Sequence, residues 1–161
     1  MIPRPNPAVD CHRLFVYGTL RRGLRLHHHL ARLGASFETE AKVAGKLCDL
    51  GRHPGARPAS GKGKWVLGEL FLLRHAENDL NHLDRVEDIN PAAPERSEFV
   101  RAHAEVILPD GARERAWIYW LSAQAPVGRQ IASGDYAAWR ARTEVNGISS
   151  SRGRGRRVVQ V

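Results

Sequence analysis

The chain has 161 residues, 42% of them hydrophobic, and a formal net charge of +8. This length is that of one ordinary domain, and the composition is sufficient for a buried core, so we expect one globular unit. No apolar run approaches the roughly 20 residues that span a bilayer, and prolines interrupt the N-terminal stretch MIPRPNPAVD where a signal peptide needs an apolar core. We therefore expect a soluble, cytoplasmic protein without a membrane partner.

The first half of the chain predicts mainly strands. After a proline-punctuated, irregular lead-in over residues 1–12, the apolar run at 13–17 predicts the first strand. Three leucines at the spacing i, i+4, i+7 then precede Gly34, which is typical of a short amphipathic helix with a glycine stop. Strand-like sequence resumes at 41–50. The segment 51–64 holds four glycines and two prolines, which favours a flexible surface loop.

The second half of the chain predicts a strand over 64–73, a helix over 75–87 and a hairpin. The hairpin joins strands at 98–108 and 114–121 through the Pro-Asp-Gly turn at 109–111. Strands dominate and do not alternate regularly with long helices. We therefore predict an α+β fold, with a small, mixed, curled or barrel-like sheet of five to six strands and two or more short flanking helices.

The C-terminal residues 147–161 differ from the predicted single domain over 13–146. They hold four arginines and no acid, which is half of the net charge of +8. Serine, glycine and arginine have little to bury, so we expect a mobile arm, ending in a short valine patch that would dock as an edge strand. A basic arm can bind nucleic acid through phosphates, but this one lacks interleaved aromatic residues, which favours a solvated or docking tail.

One carboxylate falls on the apolar face of the helix predicted at 75–87. Ala76, Leu80 and Leu83 mark that face, and the same spacing continues to Glu87. Burial and a nearby helix C-terminus would both raise the pKa of Glu87, which suits a general acid/base near neutral pH. The alternative is that the helix ends before Glu87 and its side chain turns to solvent or caps a backbone group, because structural acids outnumber catalytic ones.

The turn after the first predicted strand has the sequence Tyr-Gly-Thr-Leu. A strand that ends in such a turn and leads toward a helix leaves backbone N–H groups unpaired, and these attract carboxylates or phosphates. Neither the P-loop nor the dinucleotide-binding pattern is present, so the turn by itself favours an ordinary tight turn. Arg21 or Arg22 would add attraction for an anion, although arginines after a turn are more often only solvated.

Six segments taken together resemble one family. They are FVYGTLRRG at 15–23, GELF at 68–71, LDRVED at 83–88, FVRAHAEV at 99–106, AWIYW at 116–120 and IASGDY at 131–136. In this order, from about residue 13 to 140, the set resembles the γ-glutamylcyclotransferase-like family, and in particular its short γ-glutamylamine cyclotransferase branch.

The resemblance implies a role for the Tyr-Gly-Thr-Leu turn and for Glu87, the acid on the apolar face of the predicted helix. Tyr17, Gly18, Thr19 and Leu20 would form the loop that cradles the γ-glutamyl group, and Glu87 would be the catalytic acid/base. The implied enzyme converts a γ-glutamyl amine or γ-glutamyl amino acid to 5-oxoproline and a free amine, by attack of the substrate's own α-amine and without a cofactor or metal. A noncatalytic module that binds a small acid in the same pocket is the alternative.

Two further residues are candidates for substrate binding, and two depart from the family pattern. Arg21 would attract the anionic substrate, and Tyr119 would reach the pocket from the AWIYW strand, where a core aromatic is the more common role. Asp88 stands where the family usually has glycine, and Phe99 where tyrosine is common. These changes would alter which substrate fits and would leave Glu87 in place.

Other reactive residues do not predict a site. The three histidines at 27–29 are successive positions of a predicted helix and cannot converge on one metal ion. Cys11 and Cys48 have neither metal-type spacing nor an activating motif, so we expect buried or idle thiols, with a single disulfide as the alternative. Such cysteine usage suits a reducing compartment.

Overall fold

The computed structural model describes residues 11–59, 63–90 and 92–151, the last seven of them as backbone alone. Most of the predicted lead-in and the arginine and valine residues of the predicted tail lie outside the described residues. In the described ranges, no helix is long and apolar enough to cross a membrane.

The described residues form seven strands and three α-helices. The strands are β1 (Arg13–Val16), β2 (Ser36–Asp49), β3 (Pro54–Pro58), β4 (Trp65–Leu72), β5 (Phe99–Ile107), β6 (Arg113–Leu121) and β7 (Arg129–Gln130). The helices are α1 (His27–Arg32), α2 (Ala76–Val86) and α3 (Tyr136–Ser151), with a 3-10 turn at Pro94–Arg96.

Five of the strands close into a barrel. β4 pairs antiparallel with β1 and β2, β6 runs parallel to β1 and antiparallel to β5, and the pair Lys42–Ile107 joins β5 to β2. β3 and β7 both pair antiparallel with the C-terminal part of β2. The sheet is mixed and closed with helices outside it, so the predicted barrel-like α+β fold is confirmed, with β3 and β7 in addition to the strands predicted.

The glycine-rich segment 51–64 was expected to be a loop, and this expectation is wrong for its first half. β3 (Pro54–Pro58) pairs with residues 45–49 of β2 over five positions. β3 lies at the edge of the sheet, where proline is tolerated because half of the backbone N–H groups need no ladder partner. A high count of glycine and proline therefore marked an edge strand.

Helix α3 was not among the elements predicted from the sequence. This helix begins in the predicted domain and continues through residue 151, into the segment expected to be a tail. Its apolar residues Tyr136 and Trp139 pack against the barrel core, while arginine, threonine and asparagine follow them. The first turn of α3 therefore holds the helix against the barrel.

β1 is buried on both of its faces, which explains its unbroken apolar sequence. Leu14 and Val16 pack with the core beneath α1 and α2, whereas Phe15 and Tyr17 belong to the core of the barrel. Burial of each such side chain stabilises the fold by roughly 1.5–3 kcal/mol. The end of β1, and with it the turn that follows, is consequently held from both sides.

Gly68 does not interrupt β4 but lets it lie close to β1. A Cβ atom at this position would lie 2.3 Å from the carbonyl oxygen of Val16 and 2.6 Å from the ring of Phe15. No side chain fits between the two strands there.

Candidate active site

A cavity of about 310 Å³ opens where the end of β1 meets the end of α2. The β2–β3 turn and the start of β5 complete its walls. The structure brings together in this cavity six of the seven residues that the sequence singled out, namely Tyr17, Gly18, Thr19, Leu20, Glu87 and Tyr119.

Arg21 is the exception. Its backbone N–H donates to the carbonyl of Gly18 at 3.0 Å, which closes the turn, and its guanidinium forms a 2.9 Å ion pair with Asp135. Arg21 thus lines a different cavity, with residues of β2 and β4. Arg22 is likewise engaged elsewhere, since its backbone N–H and its Nε both donate to the buried carboxylate of Glu69.

The glycine turn, residues 17–20, lines the cavity and holds backbone N–H groups without an acceptor among the described residues. In the described part of the chain, no acceptor is paired with the N–H groups of Gly18, Thr19 and Leu20. Successive N–H groups without a protein acceptor are the type of backbone that can bind an anion. Gly18 is needed there for space, because a Cβ atom would lie 2.8 Å from Cγ of Pro54.

Tyr17 fixes this turn to the barrel. Its buried hydroxyl donates a 2.6 Å hydrogen bond to the carbonyl of Tyr119 and accepts one from the N–H of Ala56 at 3.2 Å. Burial, and to a smaller degree the charge of Glu87, raises the pKa of the phenol. The hydroxyl is therefore neutral and committed to the protein, and Tyr17 contributes its backbone and ring to the cavity wall.

Glu87 lies at the C-cap of α2, directly after its last residue, Val86. The N–H of Asp88 donates to the carbonyl of Arg85 at 3.1 Å, and that of Ile89 donates to Asp84 at 2.8 Å, which is a Schellman motif. Asp88 occupies the left-handed position of this motif, with φ of 55°. The helix thus ends before Glu87, as one of the two sequence interpretations had it, but the Glu87 side chain lines the cavity.

The surroundings of Glu87 disfavour its charged form. Burial, followed by the charges of Glu98 and Asp84, raises the pKa of Glu87 to about 7. Among the described residues, none donates a hydrogen bond to its carboxylate. A half-buried acid of this kind gains and loses a proton near neutral pH, as a general acid/base must.

A network of side-chain hydrogen bonds supports the cavity wall beside Glu87. The hydroxyl of Tyr119 donates to Asp84 at 2.7 Å, and Asp84 accepts two further bonds from Arg101, at 2.8 and 3.2 Å. The guanidinium of Arg101 lies 4.5 Å from the ring centroid of Trp117. Asp84 is one helical turn before Glu87, so this network of hydrogen bonds fixes the end of α2 to β5 and β6.

Sequence reasoning missed several residues of this site. Arg25, His53 and Glu98 also line the cavity, and Asp84 and Arg101 hold its wall. Asp84 had a usable signal, since residues three apart share a helix face. Glu98 and His53 had none, because their 3.0 Å contact joins positions 45 residues apart.

The remaining reactive residues lie outside the cavity or have other partners. Nδ1 of His28 contacts the carbonyl of Arg25, and Nδ1 of His29 lies 3.2 Å from Nε2 of His82. Within the described ranges, no three histidine, cysteine or acidic side chains cluster in a way that would hold a metal ion. Cys11 and Cys48 are buried free thiols, so the single disulfide does not form.

Comparison with known proteins places the chain in a family. Residues 14–138 match the family model described as gamma-glutamyl cyclotransferase, AIG2-like. The chain belongs to this AIG2-like family. It is similar to a Vibrio cholerae protein that carries a provisional γ-glutamylcyclotransferase name, with 36% identity over 127 residues, which are 78% of this chain and 95% of that protein.

Solved structures agree with the AIG2-like fold. An AIG2-like protein of Mus musculus is 25% identical, with a TM-score of 0.58 over 71% of this chain and 80% of the mouse chain. An uncharacterized protein of Pyrococcus horikoshii is 24% identical, with a TM-score of 0.60 over 83% of this chain and 96% of the other. At 24% identity, the likeness to the Pyrococcus protein shows the fold alone.

Proposed function

We propose that this AIG2-like protein converts a γ-glutamyl amine or γ-glutamyl amino acid to 5-oxoproline and a free amine. One observation carries the proposal: Glu87, with its pKa of about 7, shares a cavity with the unpaired N–H groups of Gly18, Thr19 and Leu20. The family name of the chain and of its Vibrio relative agrees with this reaction.

The γ-glutamyl head carries an α-carboxylate and an α-ammonium on the same carbon, and the cavity is lined by backbone N–H donors for the first and by Glu87 for the second. The turn N–H groups bind the α-carboxylate, and the exposed guanidinium of Arg25, which forms no ion pair with any described acid, adds attraction for it. The α-ammonium then lies toward Glu87. The hydroxyl oxygen of Tyr119, whose proton points to Asp84, is an acceptor for the same ammonium.

The reaction needs little more than this orientation and a carrier of protons. Glu87 takes a proton from the α-ammonium, and the amine so formed attacks the γ-carbonyl carbon, which closes the five-membered ring. The leaving nitrogen receives that proton from Glu87 as its bond to this carbon breaks. The carboxylate of Glu87, ionised again, then takes the second proton that the ring nitrogen must lose to become the lactam N–H. Because nucleophile and carbonyl belong to one molecule, holding the substrate folded supplies a large rate advantage.

The experiment is an assay for 5-oxoproline with purified protein and a panel of γ-glutamyl amines and γ-glutamyl amino acids. We expect turnover of at least one class and a loss of about 100-fold or more in Glu87→Gln. The matched control is Glu77→Gln, the same change on an exposed face of α2, which leaves the rate unchanged. If these compounds stabilise the protein against thermal unfolding but none is turned over, the protein is a binding module and not an enzyme. Activity that survives Glu87→Gln would contradict the role of Glu87 as acid/base.

A further inference from the structure

We infer that Glu69 and His27 are positioning residues of the glycine turn. They hold peptide groups of Leu20 and Arg22 from behind, and thereby keep the N–H groups of residues 18–20 in the orientation that a bound carboxylate requires. This inference rests on the proposed function, in which these N–H groups bind the α-carboxylate of the substrate.

The carbonyl groups of residues 18–20 accept hydrogen bonds from the chain that follows them. The carbonyl of Gly18 accepts the N–H of Arg21 at 3.0 Å, and that of Thr19 accepts the N–H of Leu26 at 2.9 Å. In a trans peptide, a carbonyl and the N–H after it point in opposite directions. These two bonds therefore orient the next N–H groups of the turn away from that chain.

The third carbonyl, that of Leu20, depends on a side chain. Nδ1 of His27 lies 3.0 Å from this oxygen, and because a carbonyl oxygen only accepts, Nδ1 carries the proton. His27 is the first residue of α1, and its ring centroid lies 5.8 Å from that of the buried Phe71. The imidazole therefore joins the end of the turn to α1 and to the core beneath it.

A buried carboxylate holds the peptide group two residues further on. Glu69 lies opposite Val16, the last residue of β1, in the pairing of β4 with β1, which places it at the level where the turn begins. Its Oε1 accepts the backbone N–H of Arg22 at 2.8 Å, and its Oε2 accepts the Nε–H of the same residue at 3.1 Å. Glu69 is 4% exposed, and shielding from solvent strengthens both bonds.

Stability alone does not account for an acid at position 69. Apolar residues of similar volume often replace a buried ion pair without loss of stability. The next two residues of β4, Leu70 and Phe71, pack in the two cores, and the side chain of Arg22 is 46% exposed, so it would reach solvent without Glu69. What the carboxylate adds is a fixed point for the N–H of Arg22.

The two contacts preorganise the turn. With both in place, the peptide groups between Leu20 and Arg22 have one orientation, and binding a carboxylate requires no reorganisation. Without them, these peptide groups gain freedom that binding must remove. The effect therefore falls on the affinity for substrate rather than on the proton transfers at Glu87.

Two variants of His27 test its hydrogen bond. His27→Asn retains an N–H donor close to the position of Nδ1, whereas His27→Phe retains the ring and loses the donor. Dissociation constants for γ-glutamyl-n-pentylamine are measured by calorimetry in the Glu87→Gln protein, where no turnover interferes. We expect a loss of affinity of about tenfold with Phe and of no more than about threefold with Asn. Equal constants for the two variants would contradict the role of His27.

Glu69 is tested against another buried acid. Glu69→Gln retains an oxygen acceptor for the N–H of Arg22, and Glu69→Leu removes it. The matched control is Asp79→Leu, because Asp79 is also buried and accepts a backbone N–H, that of His75 at 2.9 Å, at the end of α2 remote from Glu87. We expect only Glu69→Leu to weaken binding, by about tenfold, and an equal loss in Asp79→Leu would contradict the assignment. The His27 pair decides the question if Glu69→Leu does not fold.

Kinetics distinguish positioning from a structural role. Loss of an interaction that acts equally on substrate and transition state raises KM and leaves kcat unchanged. We expect KM to rise about tenfold in His27→Phe and Glu69→Leu, with kcat within about twofold of the wild type. A lower kcat at unchanged KM would mean only that fewer molecules are folded, and would overturn the inference.

Crystal structures without ligand separate this inference from the proposed function. In His27→Phe and Glu69→Leu we expect the peptide groups after Leu20 to differ in orientation from the wild type. That result supports the positioning role even if the wild-type protein turns over no γ-glutamyl compound. An unchanged turn in both variants would overturn the inference even if the wild-type protein is an active cyclotransferase.

Discussion

The hydroxyl of Tyr119 donates a 2.7 Å hydrogen bond to Oδ1 of Asp84, three residues before Glu87. Tyr119 is on β6 and Asp84 is on α2, so this bond joins the helix that ends at Glu87 to the barrel. Arg101 of β5 completes the junction with two hydrogen bonds to the same carboxylate. The position of Glu87 thus depends on a polar contact between elements far apart in sequence.

Tyr119→Phe removes the hydroxyl from this junction. We expect the free energy of unfolding to fall by about 1–2 kcal/mol, because the lost bond has a charged acceptor, and kcat/KM to fall with it. Urea unfolding measures the first quantity. Tyr136→Phe is the matched control, since its buried hydroxyl has only a 3.4 Å contact with Arg140, and an equal loss in both variants would contradict a special role for Tyr119.

Protonation of Glu87 links stability to pH. A carboxyl whose pKa is raised by folding, here from 4.5 to about 7, favours the folded state when protonated, so wild-type stability declines as the pH rises across that window. At pH 8, Glu87→Gln should be more stable than the wild type by roughly 1–2 kcal/mol after allowance for partial exposure. Near pH 4 the two should be equally stable.

Thermal unfolding of both proteins between pH 4 and pH 8 checks this expectation. Glu77→Gln, exposed on the same helix, should follow the wild type at every pH. A constant difference between wild type and Glu87→Gln, or a less stable variant at pH 8, would contradict the raised pKa.

The rate should report the same ionisation. Because Glu87 must be ionised to accept the ammonium proton, kcat/KM should rise with pH through about 7. Glu98→Gln removes a like charge that raises the pKa of Glu87, so the midpoint of the rise should move to lower pH. The profile is measured with γ-glutamyl-n-pentylamine, whose pentyl chain carries no charge. A midpoint that stays or moves upward in this variant argues against the assignment.

Asp88→Gly should stabilise the protein. Glycine adopts the φ of 55° found at this position without the clash of a Cβ atom, which costs other residues about 1–2 kcal/mol and aspartate somewhat less. We expect a gain of about 0.5–1 kcal/mol in unfolding free energy. Asp88→Ala, which keeps the Cβ atom and loses the polar group, should be less stable than the wild type, and the reverse order would disprove the strain.

Local spacing drew attention to two positions of the candidate site, Glu87 on the apolar helix stripe and Gly18 at the end of an apolar strand. Their assignment to one site came from the family resemblance, because spacing alone favoured an exposed acid and an ordinary tight turn. The side chain of Arg21 lies outside this cavity, in an ion pair with Asp135, and the sequence contained no indication of this direction. That direction depends on turn dihedrals rather than on residue type.

Contacts between distant elements were beyond prediction from one sequence. Asp84 and Arg101 are 17 residues apart, and His53 and Glu98 are 45 apart. Their meeting depends on how the barrel closes, through the single described pair of β2 with β5. Periodicity within one element contains no information on that closure.

We propose above all that the glycine turn binds the α-carboxylate, and Glu87 the α-nitrogen, of one γ-glutamyl head. A crystal structure of Glu87→Gln with bound γ-glutamyl-n-pentylamine tests this binding mode most directly. We expect the α-carboxylate to lie on the N–H groups of Gly18, Thr19 and Leu20, with the α-nitrogen within hydrogen-bond distance of residue 87. A ligand bound with its α-nitrogen turned away from residue 87, or bound outside this cavity, would contradict it.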